Sequence, residues 1–178
     1  MFVVNVPARE YWDDNQEMFI YSKEDSITIE HSLHSLYLWE AKYGKPFLST
    51  ERTPAETLDY IKLMTTSKVS DPNVYDRLTN KNLTDIANYM NAPMTATWFR
   101  KDDKKPNKSI ITAEIIYYWM ISFEIPFECQ YWHLNRLLTL IRVCNEKNKD
   151  PKKLSKNELY SRNAALNAAR RKKFNSRG

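Results

Sequence analysis

Glycine is nearly absent from the 178 residues of this chain, which holds only Gly44 in its interior and Gly178 at its end. Loops that cradle phosphate groups need several positions without a Cβ atom, so one internal glycine cannot form a Walker-type loop or a dinucleotide-binding fingerprint. Helix ends must then be marked mainly by prolines and capping residues, which recur along the chain. The sequence predicts a helix-rich protein outside those nucleotide-binding classes.

The chain is also rich in aromatic residues, with 11 Tyr, 7 Phe and 5 Trp, and 42% of its residues are hydrophobic. Such a chain can bury enough apolar surface to offset the entropy lost on ordering, and its length suits about one domain. No stretch reaches the roughly 18 consecutive apolar residues of a membrane span, and residues 1–7 lack the features of a signal peptide. We therefore expect a folded cytosolic protein that does not contact a membrane.

Three short segments near the N-terminus, residues 2–6, 18–21 and 26–30, are rich in β-branched and aromatic side chains. They predict a small sheet or hairpin. Helix signals dominate the rest, so the predicted fold class is mainly α with a small N-terminal β element (α+β). We assign residues 1–150 to a single helix-rich domain and residues 151–178 to a basic helical extension.

Capping residues and prolines set the predicted helices of the first half of the chain. Gly44 is suited to end, in a left-handed conformation, a helix that starts near Ser32. Thr53 opens a capping box with Pro54 at the first helical position, which predicts a helix to about Met64. Similar signals predict short helices over 72–78 and 83–90, an extended segment over 95–99 and a surface loop over 100–108.

The second half of the chain contains an apolar run, residues 115–121, in a predicted helix that Thr112 can cap. The run would make this helix apolar on every side. A helix of this kind is either covered on all sides or meets a partner. A second helix is predicted over about 130–145 after Pro126, and the short connection makes the two a central helical hairpin. On a wheel of this second helix, one arc collects the apolar side chains of Leu134, Leu137, Leu138, Ile141 and Cys144.

Two apolar residues of that predicted helix, Trp132 and Val143, fall on its polar side. A tryptophan in such a position is either covered by another segment of its own chain or left exposed as an anchor for a partner. The sequence leaves both interpretations open.

The formal net charge of +5 is unevenly spread. Residues 151–178 carry nine basic side chains and one acidic one, a net of +8, whereas the first 150 residues carry 18 basic and 21 acidic side chains, a net of −3. A basic tail attracts nucleic acid, an acidic protein surface or the body of a neighbouring copy, unless it is only solvated. The candidate basic contacts are Arg162, Arg170, Arg171, Lys172 and Lys173.

This tail is predicted to form a last helix over 159–171, behind a capping box that starts at Ser155. Leu159 and Leu166 are its only large aliphatic side chains. At roughly 1.5–3 kcal/mol for each fully buried side chain the helix would dock weakly by itself, so we expect it to order fully against a partner or a sister subunit.

The residue patterns that a metal site or a redox-active thiol pair needs are incomplete in this sequence. His31 and His34, together with Glu30, offer two imidazoles and a carboxylate, but further ligands at a recognisable spacing are missing. Cys129 and Cys144 form no C-x-x-C pair and suit small buried hydrophobic side chains. We therefore expect neither a metal site nor a redox couple.

Acid–base chemistry is equally incomplete. His133 fits a hydrogen-bonded histidine at the edge of a core, and as a catalytic base beside either cysteine it lacks a third, orienting group. The pairs Asp13-Asp14 and Asp102-Asp103 lie in polar segments and suit loop charges better than carboxylates held for catalysis. We expect no enzyme activity and no cofactor.

Several segments resemble a family of small tailed-phage proteins, the tail assembly chaperones encoded near the tape-measure gene. These segments are EHSLHSLYLWEAKYGKPF at 30–47, the segment 53–65, ITAEIIYYWM at 111–120 with its continuation to WHLNRLLTLIRVCN at 132–145, and RNAALNAARR at 162–171. Together they cover well over half of the chain.

The resemblance implies a non-enzymatic, mostly helical protein of the host cytoplasm that binds the tape-measure protein, keeps it soluble and helps to recruit tail-tube subunits. Apolar contacts with a tape-measure helix would come from Tyr118, Trp119, Tyr131, Trp132 and Val143, with the helix lying in a groove. The basic set of the last helix would meet acidic surfaces on tube subunits or on neighbouring copies, so self-association is also expected.

Two other functions are kept as alternatives. One is a virion structural protein of the neck or tail, whose basic tail threads into neighbouring subunits and which would be found in the particle. The other, less favoured, is a DNA-binding packaging or regulatory factor that neutralises phosphates with the basic residues of the tail. No helix-turn-helix or zinc-finger pattern accompanies those basic residues.

Overall fold

The computed structural model describes residues 1–13, 17–99, 110–148 and 156–174. Two compact units are present, Met1–Cys144 and Asn145–Gly178. The predicted boundary between residues 150 and 151 lies outside the described residues, so the division into domains stays a prediction. The predicted fold class, mainly α with a small N-terminal β element, is confirmed.

In the part of the chain that the structure describes, the N-terminal β element has four strands: β1 (Phe2–Val6), β2 (Arg9–Asp13), β3 (Met18–Ser22) and β4 (Asp25–Ile29). β1 pairs with β4 and β2 pairs with β3, both antiparallel. The β2–β3 pair therefore lies, in sequence, between the two strands of the β1–β4 pair. Alternate residues of β1 and β4 point into the core, and these are Val4, Val6, Ile27 and Ile29. β2 was not predicted, because arginine, glutamate and aspartate are disfavoured in strands.

Two capped helices follow, α1 (Leu33–Tyr43) and α2 (Pro54–Met64). Ser32 caps α1, and Gly44 ends it in the left-handed conformation (φ 62°) with its N–H donating to the Glu40 carbonyl. The Thr53 capping box of α2 is present with Pro54 at its start. These predicted boundaries are confirmed.

The short predicted helix after Asp71 is a 3-10 helix, Pro72–Arg77, and α3 (Asn80–Asn91) follows. α3 begins three residues before the predicted start, because Thr79 forms a capping box with Asn82 in the position that glutamate or glutamine usually fills. Residues 95–99, predicted as extended, form no strand. The predicted loop 100–108 lies outside the described residues.

The second half contains α4 (Ala113–Ser122), a 3-10 helix at Phe127–Tyr131 and α5 (Leu134–Asn148). α5 begins four residues later than predicted, because residues 127–131 form the 3-10 helix and His133 forms an isolated bridge with Ser32. α4 makes its closest helix packing with α1 rather than with α5. The two helices of the predicted hairpin are therefore separated along the chain by a 3-10 helix, and α4 packs mainly against α1.

α5 is amphipathic in the fold, with its apolar side chains facing the core. Leu134, Leu137 and Ile141 of α5 are buried, with Leu138 and Cys144 packed at the core's edge, which confirms the predicted arc. The remaining core includes large side chains from the other helices, Leu36, Trp39, Tyr60, Ile116 and Met120.

The last element is α6 (Lys156–Phe174), which belongs to the second compact unit. It confirms the predicted helix, and the predicted cap Ser155 lies outside the described residues. Every side chain described on it, from 160 to 174, is exposed. Within the described part of the chain, no helix combines the length and apolar character needed to cross a membrane.

Candidate protein-interaction surface

The histidine proposed first as a metal ligand is part of the core. The ring of His31 lies with its Nδ1 2.6 Å from the Tyr60 hydroxyl, which in turn lies 3.3 Å from the Ser35 hydroxyl. Burial, with smaller contributions from His133 and Arg52, lowers the pKa of His31 to about 3. A neutral, hydrogen-bonded imidazole in this position holds α1 against α2.

The neighbouring carboxylate, that of Glu30, also has partners on both of its oxygens. Tyr89 donates to one oxygen of Glu30 at 2.6 Å, and the terminal ammonium of Met1 lies 2.5 Å from the other oxygen. His34 points elsewhere, with its ring centroid 5.2 Å from that of Tyr131. Glu30, His31 and His34 therefore do not converge. Among the described residues, no group of three or more His, Cys, Asp and Glu side chains is arranged to hold a metal.

His133 and the two cysteines have environments of their own. The Nε2 atom of His133 lies 3.1 Å from the Tyr89 carbonyl oxygen, and burial is the main cause that lowers the pKa of its ring. Both cysteines are free thiols, and burial raises the pKa of Cys129. The side chains of Asp13-Asp14 and Asp102-Asp103 lie outside the description.

A surface of large exposed side chains joins α1, α4 and the Phe127–Tyr131 3-10 helix. The rings of Tyr37 and Tyr117 have centroids 6.1 Å apart, and those of Tyr117 and Phe127 are 6.3 Å apart. Tyr117 also donates to Gln130 at 2.7 Å. Around half-buried Tyr117, the exposed members of this set are Tyr37, Tyr118, Ile121, Phe127 and Tyr131. We call these six residues the aromatic surface.

Helix geometry explains why α4 contributes three of the six. At about 100° per residue, Glu114, Tyr117, Tyr118 and Ile121 fall within an arc of about 100°, whose centre lies about 120° around the helix from that of the buried side. Tyr118 is 65% exposed on this arc, although the sequence around it is apolar on all sides. Because α1 covers only one side of α4, an apolar stripe stays in solvent.

Acidic side chains border the aromatic surface. Burial raises the pKa of Tyr117, and Tyr131, Tyr37 and Glu114 raise it further. Glu114 stands three residues before Tyr117 on α4, a spacing that makes side chains neighbours on a helix. Side chains three residues apart on a 3-10 helix eclipse one another, which places exposed Glu128 beside Tyr131. Residues 113–131 contain three glutamates and neither lysine nor arginine. The surface is thus apolar at its centre and negative at its edge.

The predicted hydrophobic contacts divide between this surface and the core. Tyr118 and Tyr131 belong to the aromatic surface, with Tyr131 57% exposed. Trp119 and Trp132 are partly buried and packed against the core, and the Arg136 guanidinium lies over the Trp132 ring at 4.1 Å. Val143 is half-buried on α5. Of the two alternatives for Trp132, the one in which other segments of its own chain cover the ring describes its environment.

Sequence reasoning missed Tyr37, Tyr117, Ile121 and Phe127 as members of the site. A wheel of α4 alone would have grouped Tyr117, Tyr118 and Ile121 with Glu114. No sequence signal places Tyr37 or Phe127 beside them, because they come from separate elements that meet only in the fold.

The predicted basic contacts all lie on α6 and are exposed. Four of them, Arg170, Arg171, Lys172 and Lys173, are near its C-terminus, where positive charge interacts favourably with the helix dipole. Three exposed apolar side chains, Tyr160, Leu166 and Phe174, lie on the same helix. α6 therefore presents both basic and apolar groups to solvent.

The β2–β3 sheet carries a second, smaller exposed group of rings. Trp12 and Phe19 are paired across the strands with their centroids 5.0 Å apart, and Tyr21 is exposed further along.

No protein-family model, curated protein or solved structure matches the chain.

Proposed function

We propose that this protein is a non-enzymatic binding protein that takes the apolar face of a partner helix on its aromatic surface. The observation that carries the proposal is the set of five exposed large side chains from three elements, gathered around Tyr117. Scattered exposed apolar residues are ordinary, but a contiguous group marks an interaction site. Tyrosine suits such a site because it offers a large apolar ring with a polar tip.

The partner we propose is the tape-measure protein of a tailed phage, which would make this chain a tail assembly chaperone. Two of the segments that resemble that family, 30–47 and 111–145, contain all six residues of the aromatic surface. A long helical chain with apolar stripes has the chemistry that this surface accepts, in the helix-in-groove mode. Tail-tube subunits are the proposed partners of basic α6.

Co-expression with the tape-measure protein of the same phage tests the proposal. We expect the unmodified chain to keep the tape-measure protein soluble, and the double variant Tyr118→Ser/Ile121→Ser to lose most of that effect. Trp98→Ser is the matched control, since Trp98 is also exposed, at 78%, but is not part of the aromatic surface. A tape-measure protein that is equally insoluble with and without this chain would overturn the proposal.

The exposed basic residues of α6 favour one further candidate, a DNA-binding packaging or regulatory factor. Such binding would be largely independent of sequence and would weaken steeply with salt. Duplex binding that is lost on removal of residues 170–178 is the required result. The virion structural alternative is tested by mass spectrometry of purified particles, where a structural protein is present in stoichiometric amount and a chaperone is absent.

A further inference from the structure

We propose that α6 of one copy docks on the aromatic surface of a second copy, so that the chain associates with itself head to tail. This inference rests on the proposed function in one respect, that the aromatic surface is a helix-binding site. It adds a specific occupant, identified by charge and by the arrangement of side chains on α6.

The receiving surface selects for a basic helix. Its centre consists of tyrosine and phenylalanine rings and Ile121, while exposed Glu114 and Glu128 stand at its edge. Since residues 113–131 hold no positive side chain, nothing on α4 or the following 3-10 helix neutralises these carboxylates through a basic neighbour in sequence. A partner helix with lysine or arginine beside its apolar stripe would satisfy both parts of the surface.

α6 has that arrangement. At about 100° per residue, the large exposed apolar side chains described between residues 160 and 174, which are Tyr160, Leu166 and Phe174, fall within an arc of about 120°. Arg170 lies in the middle of this arc, with Lys173 and Arg171 about 20° beyond its two edges. Lys172 lies on the opposite side of the helix. One face of α6 thus pairs apolar groups with positive charge, as the aromatic surface pairs apolar groups with negative charge.

A contact between two different surfaces of identical chains is heterologous, so two copies joined by one such contact leave one α6 and one aromatic surface free. Further copies then add until a ring closes or a filament grows. A tape-measure helix would compete with α6 for the same surface, so that binding of the client would release copies from one another.

Sedimentation velocity of the full chain tests the inference. We expect the weight-average mass at low salt to rise above 21.2 kDa with protein concentration, and to fall back towards the monomer in 1 M salt, where the screening length is about 3 Å. Arg170→Glu should weaken association about tenfold or more, because it puts a like charge against the carboxylates. Lys172→Glu makes the same charge change on the opposite side of α6 and should have little effect.

A mixing experiment guards against misfolded variants. Arg170→Glu and the double variant Glu114→Lys/Glu128→Lys should each stay monomeric alone. Mixed, they should associate, because the unmodified α6 of the second variant can bind the unmodified surface of the first. A chain that is monomeric at every concentration, or equal effects of Arg170→Glu and Lys172→Glu, would overturn the inference.

The two proposals can fail separately. If the chain does not self-associate but Tyr118→Ser/Ile121→Ser still abolishes tape-measure solubility, only the inference about α6 falls. If neither effect is seen, the aromatic surface is not a helix-binding site and both proposals fall.

Discussion

Among the described residues, two helices are followed by a residue in the left-handed conformation, one a glycine and the other a glutamate. Gly44 follows α1 with φ 62°, and Glu124 follows α4 with φ 53°. After α4, Ile125 N–H donates to the Met120 carbonyl and Glu124 N–H to the Ile121 carbonyl, which is a Schellman motif. A side chain with a Cβ atom is disfavoured in this conformation by about 1–2 kcal/mol.

Substitutions at these two positions should have opposite effects on stability. Glu124→Gly relieves the strain and should raise the free energy of unfolding by about 0.5–1 kcal/mol. Gly44→Ala should lower it by about 1 kcal/mol through the backbone alone, because a Cβ atom there meets nothing within 4 Å. Urea denaturation measures both. Glu124→Ala is the control, and a gain as large as that of Glu124→Gly would show that the lost carboxylate, not the backbone, is responsible.

At the same scale, His31 makes stability depend on pH. Its pKa is about 3 in the folded protein and near 6.5 in the unfolded chain. Between pH 3 and pH 6.5, the unfolded chain therefore binds a proton at His31 that the folded protein does not bind. Stability must therefore fall as the pH drops below about 6.5. From pH 7.5 to pH 5 the expected loss is about 2 kcal/mol from this residue, and His133, whose pKa is also lowered, adds to it.

Denaturation of the unmodified chain and of His31→Gln at both pH values checks this. The variant should be less stable at pH 7.5 but should lose clearly less stability on acidification. Identical losses in the two proteins would show that His31 is not responsible for the acid sensitivity.

At the scale of elements, one carboxylate connects α1 to the start of α4. Glu40 is buried on α1, where one of its oxygens accepts from the Phe47 N–H and the other from the Ala113 N–H, both at 2.7 Å. Thr112 holds the predicted cap position of α4, but its side chain makes no capping hydrogen bond. Glu40 supplies the negative charge and the acceptor that this helix N-terminus requires.

Glu40→Gln should therefore lower the free energy of unfolding by about 1–3 kcal/mol, because the amide nitrogen cannot accept and leaves one buried N–H unpaired. Thermal or urea unfolding measures the loss. Glu114→Gln makes the same chemical change at an exposed position of α4 and should stay within about 0.5 kcal/mol of the unmodified chain. A loss at Glu40 no larger than at Glu114 would mean that the bridge contributes nothing to stability.

At the scale of the whole molecule, the described residues of α6 expose all their side chains from 160 to 174, while the core lies within Met1–Cys144. A chain that ends at Asn148 should keep the cooperative unfolding and the free energy of the full chain to within about 0.5 kcal/mol. The same truncation should abolish self-association. Loss of cooperative unfolding would show that α6 is needed to fold the rest.

Several helix ends follow from local residue patterns alone. The caps at Ser32 and Thr53 and the left-handed Gly44 act through hydrogen bonds between residues three or four apart, so neighbouring residues in the sequence reveal them. The cap at Thr79 acts in the same way but was not predicted, because Asn82 stands in the position that glutamate or glutamine usually fills. The buried arc of α5 followed from helical periodicity for the same reason. The run 115–121, which contains Tyr118, could likewise be recognised as apolar.

Which apolar residues are exposed depends on how the elements pack against one another. An all-round apolar helix such as α4 has no intrinsic inside, and its exposed stripe depends on which elements pack against it. The meeting of Tyr37, Tyr117 and Phe127 and the Glu40–Ala113 hydrogen bond, which spans 73 positions, depend equally on long-range packing. Local interactions between residues close in sequence define the helices. The aromatic surface, in contrast, consists of apolar side chains that no neighbouring element covers, and this depends on how the helices pack.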